Sequence, residues 1–387
     1  MSKVEIAPVR SESELMEFIR LPWQVYRGDP HWVPPLVSER RTFLNRDRNP
    51  FFEHARAEYF LARRDGQTVG TIAAFTNDLY NQVHHKDIGW FGFFEVLDDP
   101  EAAAALLETA EGWTRQAGHE RIYGPAQFSS NDEWAMLVDG FEDPPRVLMT
   151  YNPRRYLQYM DAAGFTKAMD MWAYTARLDF YGGEENLPEK LLRVGQKVLA
   201  RGQLTLRRAD MKKFDREVEH VKAIYNQAWM QNWGYVPMTD AEIDRLAEQL
   251  RQFVDPDLVL FVEHEGEVVG FGLSLPDLNQ PLRLAYPRPG EPEPWTLAKL
   301  FWHWKVGRRA EWVRIMAIGA LPEYQGRGVT ALIFSQMARN ALRKGFKYAE
   351  MSWILESNPK SFLNVEHLGG KIYKTYRIYE KQLSASA

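Results

Sequence analysis

The chain has 387 residues, which is long for one hydrophobic core and favours two domains. A net charge of -4 gives no overall basic field, so we expect no nucleic-acid partner. The absence of cysteine excludes disulfides, thiolate metal ligands and a cysteine nucleophile. The start of the sequence lacks an apolar signal core, and no stretch is apolar enough to span a bilayer. A cytoplasmic location is therefore expected.

The first half of the sequence alternates between strand and helix patterns. In chain order it predicts strands at 59–64, 68–76 and 88–97, a helix at 98–117, a strand at 121–124 and a helix at 152–163. Asp65-Gly66 between the first two strands is typical of a hairpin turn. Pro100 and Gly118 have the positions expected at the start and just past the end of a helix.

The second half repeats this order after two helices. It predicts helices at 215–231 and 240–253, strands at 258–263, 267–275 and 311–319, a helix at 329–344, a strand at 348–354 and a helix near 359–368. The shared order indicates two diverged copies of one α/β or α+β unit. The pattern breaks at 181–186, so we expect domains at 1–185 and 205–387, with a transition segment at 186–204.

A Pro-rich insertion at 276–294 interrupts the second half, and an aromatic and basic segment at 295–309 follows it. A helix lying on a membrane surface would have this composition. We expect instead an aromatic helix that packs over a pocket and leaves its basic end in solvent.

The segment with the clearest chemistry joins the strand at 311–319 to the helix at 329–344. It reads Gln325-Gly326-Arg327-Gly328-Val329-Thr330. Two glycines allow several backbone N–H groups to point at one anion, and the helix N-terminus adds unpaired N–H groups and a positive dipole end. Arg327 adds a cation. The sequence therefore predicts a diphosphate site here.

With its flanking Pro322 and Tyr324, this loop resembles the phosphate loop of the GNAT acyltransferase superfamily, whose pattern is Gln/Arg-x-x-Gly-x-Gly/Ala. Thr330 stands where that family usually has Gly or Ala. The resemblance covers about 205–383 and implies a mixed, mostly antiparallel sheet flanked by helices. It also implies an acyl-CoA cosubstrate, by default acetyl-CoA. The residues implied to bind it are Ile318, Gly319, Ala320, Gln325, Gly326, Arg327, Gly328, Val329, Thr330 and Asn358.

The sequence departs from the family where many members carry a tyrosine that protonates the leaving thiolate. Counting from Asn358, this position holds Val365, which transfers no proton. The catalytic candidates are Glu356, Glu311 and Tyr235, with Glu356 first as base because it follows the strand that faces the thioester. Tyr324 and His367 are further acid or base candidates, and His367 is expected to be a helix-end histidine instead.

The N-terminal copy lacks the glycine loop. Asp98, Asp99 and Glu101 stand at the matching helix start, where they would repel a diphosphate and are expected to act as N-cap charges. We interpret this half as a degenerate copy that closes the acceptor side of a shared pocket. The predicted acceptor-binding residues are Phe128, Asn131, Trp134, Tyr156 and Tyr159.

These patterns together predict an acyl-CoA-dependent acyltransferase, most simply an N-acetyltransferase acting on a small-molecule amine. Two alternatives stay open at this point, a non-catalytic acyl-CoA sensor and an aminoacyl-tRNA-dependent transferase. No metal site is expected, because the adjacent His84 and His85 have poor spacing for one ion. A homodimer is compatible with the sequence.

Overall fold

The computed structural model describes residues 2–200, 202–358, 365–366 and 368–383. These residues divide into two compact units. Unit 1 holds the described residues within 1–170, 282–303 and 375–387. Unit 2 holds those within 171–281 and 304–374.

The strands and helices are numbered in chain order. The strands are β1 (Glu5–Pro8), β2 (Ala55–Arg64), β3 (Gln67–Asn77), β4 (Ile88–Val96), β5 (Arg121–Gly124), β6 (Met136–Asp139), β7 (Thr166–Arg177), β8 (Leu204–Arg208), β9 (Val259–His264), β10 (Glu267–Pro276), β11 (Trp312–Ala320), β12 (Tyr348–Leu355) and β13 (Lys371–Gln382). The helices are α1 (Glu12–Arg20), α2 (Pro22–Val25), α3 (Val37–Phe43), α4 (Asp78–His84), α5 (Pro100–Gln116), α6 (Tyr156–Ala162), α7 (Glu189–Ala200), α8 (Phe214–Ala228), α9 (Asp240–Leu250), α10 (Asn279–Ala285), α11 (Glu293–Phe301) and α12 (Val329–Arg343).

Unit 1 is built on a mixed sheet with the order β1-β2-β3-β4-β5-β13, and β6 also pairs with β13. The β4–β5 pairing is parallel and the others are antiparallel. α5 and α6 contribute side chains such as Leu106 and Met160 to its main core. Asp99 accepts a hydrogen bond from the backbone N–H of Ala102 and pairs with Arg64 at 2.9 Å, so it is an N-cap, as the sequence predicts.

Unit 2 repeats this plan with the order β8-β9-β10-β11-β12-β7, in which the β11–β12 pairing is parallel. α7 and α12 share a core on one face of the sheet, where Val198 and Val329 meet. α8 packs on the other face through Ile224, against Phe261 and Phe271. The predicted fold class, two mixed and mostly antiparallel sheets flanked by helices, is confirmed.

The domain boundaries need correction. The predicted transition segment 186–204 holds α7, whose Val198 belongs to the core of unit 2. The last strand of each unit also comes from the other half of the sequence. Residues of β7 from Met171 onward pair with β12 in unit 2, and residues of β13 from Thr375 onward pair with β5 and β6 in unit 1.

Two predicted segments have a different local structure. The helix predicted from 152 begins at Tyr156, because the Asn152 side chain instead bonds the backbone N–H and C=O of Leu137. The Pro-rich insertion contains α10 and the start of α11. Most of the helix predicted near 359–368, including His367, lies outside the described residues.

Candidate functional site

The loop between β11 and α12 has the backbone geometry that an anion site requires. Gly326 and Gly328 have φ values of 75° and 89°. This is the left-handed region, which residues with a side chain adopt only with strain. Gly328 caps α12, and a Cβ there would lie 2.5 Å from a methyl carbon of Val198. A Cβ on Gly326 would point into open space. Gln325 and Arg327 are exposed. The loop thus leaves a glycine backbone, a cation and a helix N-terminus accessible to a diphosphate.

Contacts within unit 2 hold this loop in place. The Tyr324 hydroxyl lies 2.9 Å from Nδ1 of His264 at the end of β9. The Arg327 guanidinium carbon lies 5.3 Å from the centre of the Tyr324 ring. The Gln325 amide donates a hydrogen bond to the carbonyl of Ala320 at 3.4 Å. These contacts therefore tie the loop to the ends of β9 and β11.

β11 and β12 part just before the loop. Leu273 pairs with Ala317 and Ser274 with Ile315, so Met316 is the extra residue of a β-bulge in β11. A bulge bends and twists its strand. The parallel ladder to β12 joins Trp312–Ile315 to Tyr348–Met351 and ends there. The slot that opens beyond it has one edge formed by Ala317–Ala320, which suits an extended ligand that pairs with strand backbone.

The structure therefore brings most of the predicted cofactor residues into one strand, loop and helix. Ile318, Gly319 and Ala320 lie on β11 beyond the bulge and pair with β10. Gln325 to Thr330 form the loop and the first turn of α12. Asn358 lies in the turn after β12, where its backbone N–H donates to the Leu355 carbonyl at 2.9 Å.

A buried charged cluster, which was not predicted from the sequence, lies where β11 and β12 part. Arg314 and Glu350 are neighbours across the parallel ladder, and both are buried together with Ser352. Arg314 Nε donates to Ser352 Oγ at 3.1 Å, and Ser352 Oγ donates to Glu350 Oε1 at 2.6 Å. The Tyr373 hydroxyl donates to Glu350 Oε2 at 2.5 Å. The sequence signal for this cluster was a single charged residue inside each of two largely apolar strands.

The three predicted catalytic residues lie in three different parts of unit 2. Glu356 lies in the turn after β12, beside Asn358 in sequence. Glu311 precedes β11 and pairs with Lys347 at 2.6 Å. The nine residues of β11 span roughly 27 Å, so the structure does not bring Glu311 to the loop. Burial raises the pKa of Tyr235 to about 12, and its hydroxyl donates to Asn226, which also accepts from the Met238 N–H. Tyr235 thus holds the connection between α8 and α9.

Unit 1 repeats the bulge but fills the slot with its own chain. Phe93 and Phe94 of β4 stand opposite the single Ile72 of β3, and the ladder between β4 and β5 covers only Ile88–Trp90. The Ala126 N–H then donates to the Phe91 carbonyl at 2.9 Å. A Cβ on Gly92 would lie 1.7 Å from the Ala126 carbonyl oxygen. In unit 1 the loop after β5 therefore occupies the strand edge that stays open in unit 2. This difference agrees with the interpretation of the N-terminal half as a degenerate copy.

Four of the five predicted acceptor residues are buried inside unit 1, namely Phe128, Trp134, Tyr156 and Tyr159. Phe128 stacks on Phe51 with ring centres 4.7 Å apart. The Tyr156 hydroxyl accepts from the Val96 N–H at 2.7 Å. Asn131 is partly buried, and its N–H donates to Ser129 Oγ at 3.1 Å. These contacts describe a core role, and acceptor binding by these residues stays a prediction.

Unit 1 also holds a partly buried carboxyl group, Glu95, that was not predicted from the sequence. The hydroxyls of Tyr26 and Tyr156 donate to the two oxygens of Glu95 at 3.0 and 2.9 Å. Burial raises the pKa of Glu95 to about 7, although these hydrogen bonds and Arg155 act to lower it. Glu95 therefore changes charge near neutral pH.

We expect Glu95→Gln to change how the stability of the protein depends on pH. The folded-state pKa lies above the unfolded one, so the stabilising contribution of protonated Glu95 is complete below pH ~4.3 and is lost as pH rises through about 7. Relative to wild type, the variant should gain up to about 3 kcal/mol in unfolding free energy between pH ~4.5 and ~8. Urea unfolding of both proteins across this range measures the difference. Parallel pH profiles would contradict the shifted pKa.

In the part of the chain that the structure describes, no group of three or more His, Asp or Glu side chains is arranged to hold a metal ion. No helix of these residues is long and apolar enough to cross a bilayer.

Comparison with known proteins places the chain in a family. The model of the acetyltransferase (GNAT) family matches residues 218–363. The chain is 37% identical to the bacterial ceramide synthase of Caulobacter vibrioides over 385 residues, covering 98% of each protein. It is 31% identical to protein YghO of Escherichia coli over 381 residues, covering 96% of this chain and 94% of that protein.

A solved structure shows the same fold at low sequence identity. A tandem GNAT protein from the clavulanic acid biosynthesis pathway superposes with a TM-score of 0.56 at 12% identity, covering 100% of both chains. The glycine loop, the bulged and parted strands and the repeated unit agree with these similarities. The chain belongs to the GNAT acetyltransferase family, in a tandem form whose N-terminal copy is degenerate.

Proposed function

We propose that this protein transfers an acyl group from acyl-CoA to the amine of a long-chain amino alcohol. The observation that carries the donor half of this proposal is the accessible glycine loop beside the open slot of unit 2. The acceptor half is supported by the relative of 37% identity that is named a ceramide synthase. A ceramide is a fatty amide of such an amino alcohol, so we propose an acyl group longer than acetyl.

The main contribution of the protein to this reaction is to position the amine and the thioester. The free amine attacks the thioester carbonyl, a C–N bond forms and the C–S bond breaks. One proton leaves the nitrogen and one reaches the thiolate of CoA. Holding amine and thioester together supplies much of the acceleration, and a carboxylate near the amine adds to it. Glu356 is the first candidate to accept the proton that leaves the amine, because it follows β12, the strand that lines the slot.

The test combines two product measurements. The protein is incubated with sphinganine and with acetyl-, octanoyl- or palmitoyl-CoA. Since the chain has no cysteine, a thiol reagent reports only released CoA. We expect one fatty amide, detected by mass spectrometry, for each thiol released, with the long-chain donors preferred. Thiol release without amide, or a preference for acetyl-CoA and short amines, would contradict the proposed acceptor and donor.

A non-catalytic acyl-CoA-binding protein is the second candidate. Val365 favours it, because this apolar side chain is buried in a hydrophobic cluster where many family members have a tyrosine. Tight binding of acyl-CoA with no turnover on any amine tested would support this alternative.

We expect Glu356→Gln to lower kcat about 100-fold and to remove the acidic limb of the pH–rate profile, because a general base acts only in its unprotonated form. Glu311→Gln is the matched control, since Glu311 lies at the far end of β11 and pairs with Lys347. Its kcat should equal that of wild type. Steady-state kinetics at several pH values measure both. If the two variants lose the same small amount, Glu356 is not the base.

A further inference from the structure

Helix α11 of unit 1 turns its more apolar side toward solvent. Trp295, Phe301 and the following Trp302 are 62%, 59% and 60% exposed. The opposite side contains Thr296 and Leu300, which are 2% and 7% exposed. A surface helix of a soluble protein normally has the reverse arrangement. The expectation that this aromatic segment packs over a pocket is therefore wrong for these three rings.

The exposed residues form one continuous face. Trp295, Leu297, Ala298, Phe301 and Trp302 follow the three- and four-residue spacing that places helical side chains on one side. We call these five residues the outer face of α11.

Polar contacts fix the rotation of α11 about its axis. Glu293 accepts hydrogen bonds from the backbone N–H and the hydroxyl of Ser38 at 3.3 and 2.5 Å. Lys299 pairs with Glu291 at 2.8 Å. The side chains of Thr296 and Leu300 are buried. These contacts within unit 1 thus hold the aromatic rings of α11 on its solvent side.

The charge of this segment differs from that of the whole chain. Residues 294–310 contain Lys299, Lys305, Arg308 and Arg309 and no Asp or Glu, whereas the chain has a net charge of -4. Lys305, Arg308 and Arg309 are exposed and directly follow the outer face in sequence. An exposed aromatic face that is followed directly in sequence by exposed basic residues is complementary to a surface with an apolar interior and an anionic outer layer.

We propose that the outer face of α11 docks onto the surface of an anionic lipid bilayer. Tryptophan and phenylalanine rings partition into the boundary between headgroups and acyl chains, and basic residues bind anionic headgroups. The nine residues of α11 span about 14 Å, so the helix lies in the interface and does not cross it. A symmetric contact between two copies fits less well, because it would bring the same cations of both copies together. The proposal does not rest on the proposed acyl transfer.

The test measures flotation of the purified protein with vesicles of phosphatidylcholine containing about 30% phosphatidylglycerol, and with phosphatidylcholine alone. We expect binding to the anionic vesicles that weakens in high salt. Combined replacement Trp295→Ser, Phe301→Ser and Trp302→Ser should lower the partition coefficient at least tenfold, since about three large apolar side chains leave the interface. Replacing Lys305, Arg308 and Arg309 by Gln should remove the preference for the anionic vesicles.

The matched control is Phe180→Ser, which removes an aromatic ring that is 81% exposed elsewhere on the chain. It should bind vesicles as wild type does. Failure of the wild type to bind either vesicle, or equal binding by the triple serine variant, would overturn the proposal. A wild-type dimer that the triple variant converts to a monomer, measured by sedimentation without lipid, would overturn it in favour of a contact between copies.

Discussion

Replacing Gly326 by aspartate is expected to weaken CoA binding about 100-fold relative to replacing it by asparagine. The two side chains have nearly the same shape, and both tolerate the left-handed backbone that Gly326 adopts at φ 75°. A Cβ at this position meets no neighbouring atom within 4 Å, so both variants should fold. Only the aspartate places a negative charge beside the diphosphate.

The expected size follows from Coulomb's law. A unit charge about 5 Å from one phosphate charge, at an effective dielectric constant of about 20, costs ~3 kcal/mol. Isothermal titration calorimetry of both variants with CoA measures the difference directly. Gly328 is a poorer position for this test, because any side chain there also collides with Val198 in the core of unit 2.

Equal affinity of the aspartate and asparagine variants would show that the diphosphate does not lie at this loop. A loss of binding in both variants, with unchanged stability, would indicate that the backbone of Gly326 itself contacts the ligand and that charge is secondary.

Replacing Glu350 by alanine is expected to lower the unfolding free energy by about 3–5 kcal/mol. Glu350 is fully buried and accepts hydrogen bonds from Ser352 and Tyr373, while its ladder neighbour Arg314 is also buried. Removing the carboxylate leaves the buried Arg314 guanidinium without this compensating charge. It also removes the acceptor for the two hydroxyl donors. Urea unfolding followed by circular dichroism measures the loss.

Two further variants separate the causes. Glu350→Gln keeps an acceptor but removes the charge, so its loss should fall between those of wild type and alanine. Glu323→Ala, at an exposed carboxylate of the loop, should change stability by less than about 0.5 kcal/mol. If Glu350→Ala lost no more than Glu323→Ala, the buried cluster would not stabilise unit 2.

The local elements follow closely from the sequence because their signals are local. Asp65-Gly66 closes the β2–β3 hairpin with left-handed backbone at both residues, as its turn type requires. Pro100 starts α5 under the Asp99 cap, and Gly328 precedes α12 as the loop pattern predicts. Each of these outcomes depends on residues within a few positions of one another. The grouping of Ile318 to Thr330 is local in the same way, since one strand, loop and helix contain these residues, and their binding of a cofactor stays a prediction.

The tertiary structure alone decided the features that depend on distant residues. Pairing of Met171–Arg177 with β12, and of Thr375–Gln382 with β5 and β6, joins segments far apart in sequence, which no local pattern reveals. The cluster of Arg314, Glu350 and Ser352 forms only where two strands meet. The same limit applies to α11. Its composition is visible in the sequence, but burial of Thr296 and Leu300 decides which side faces solvent, and that side holds the aromatic rings.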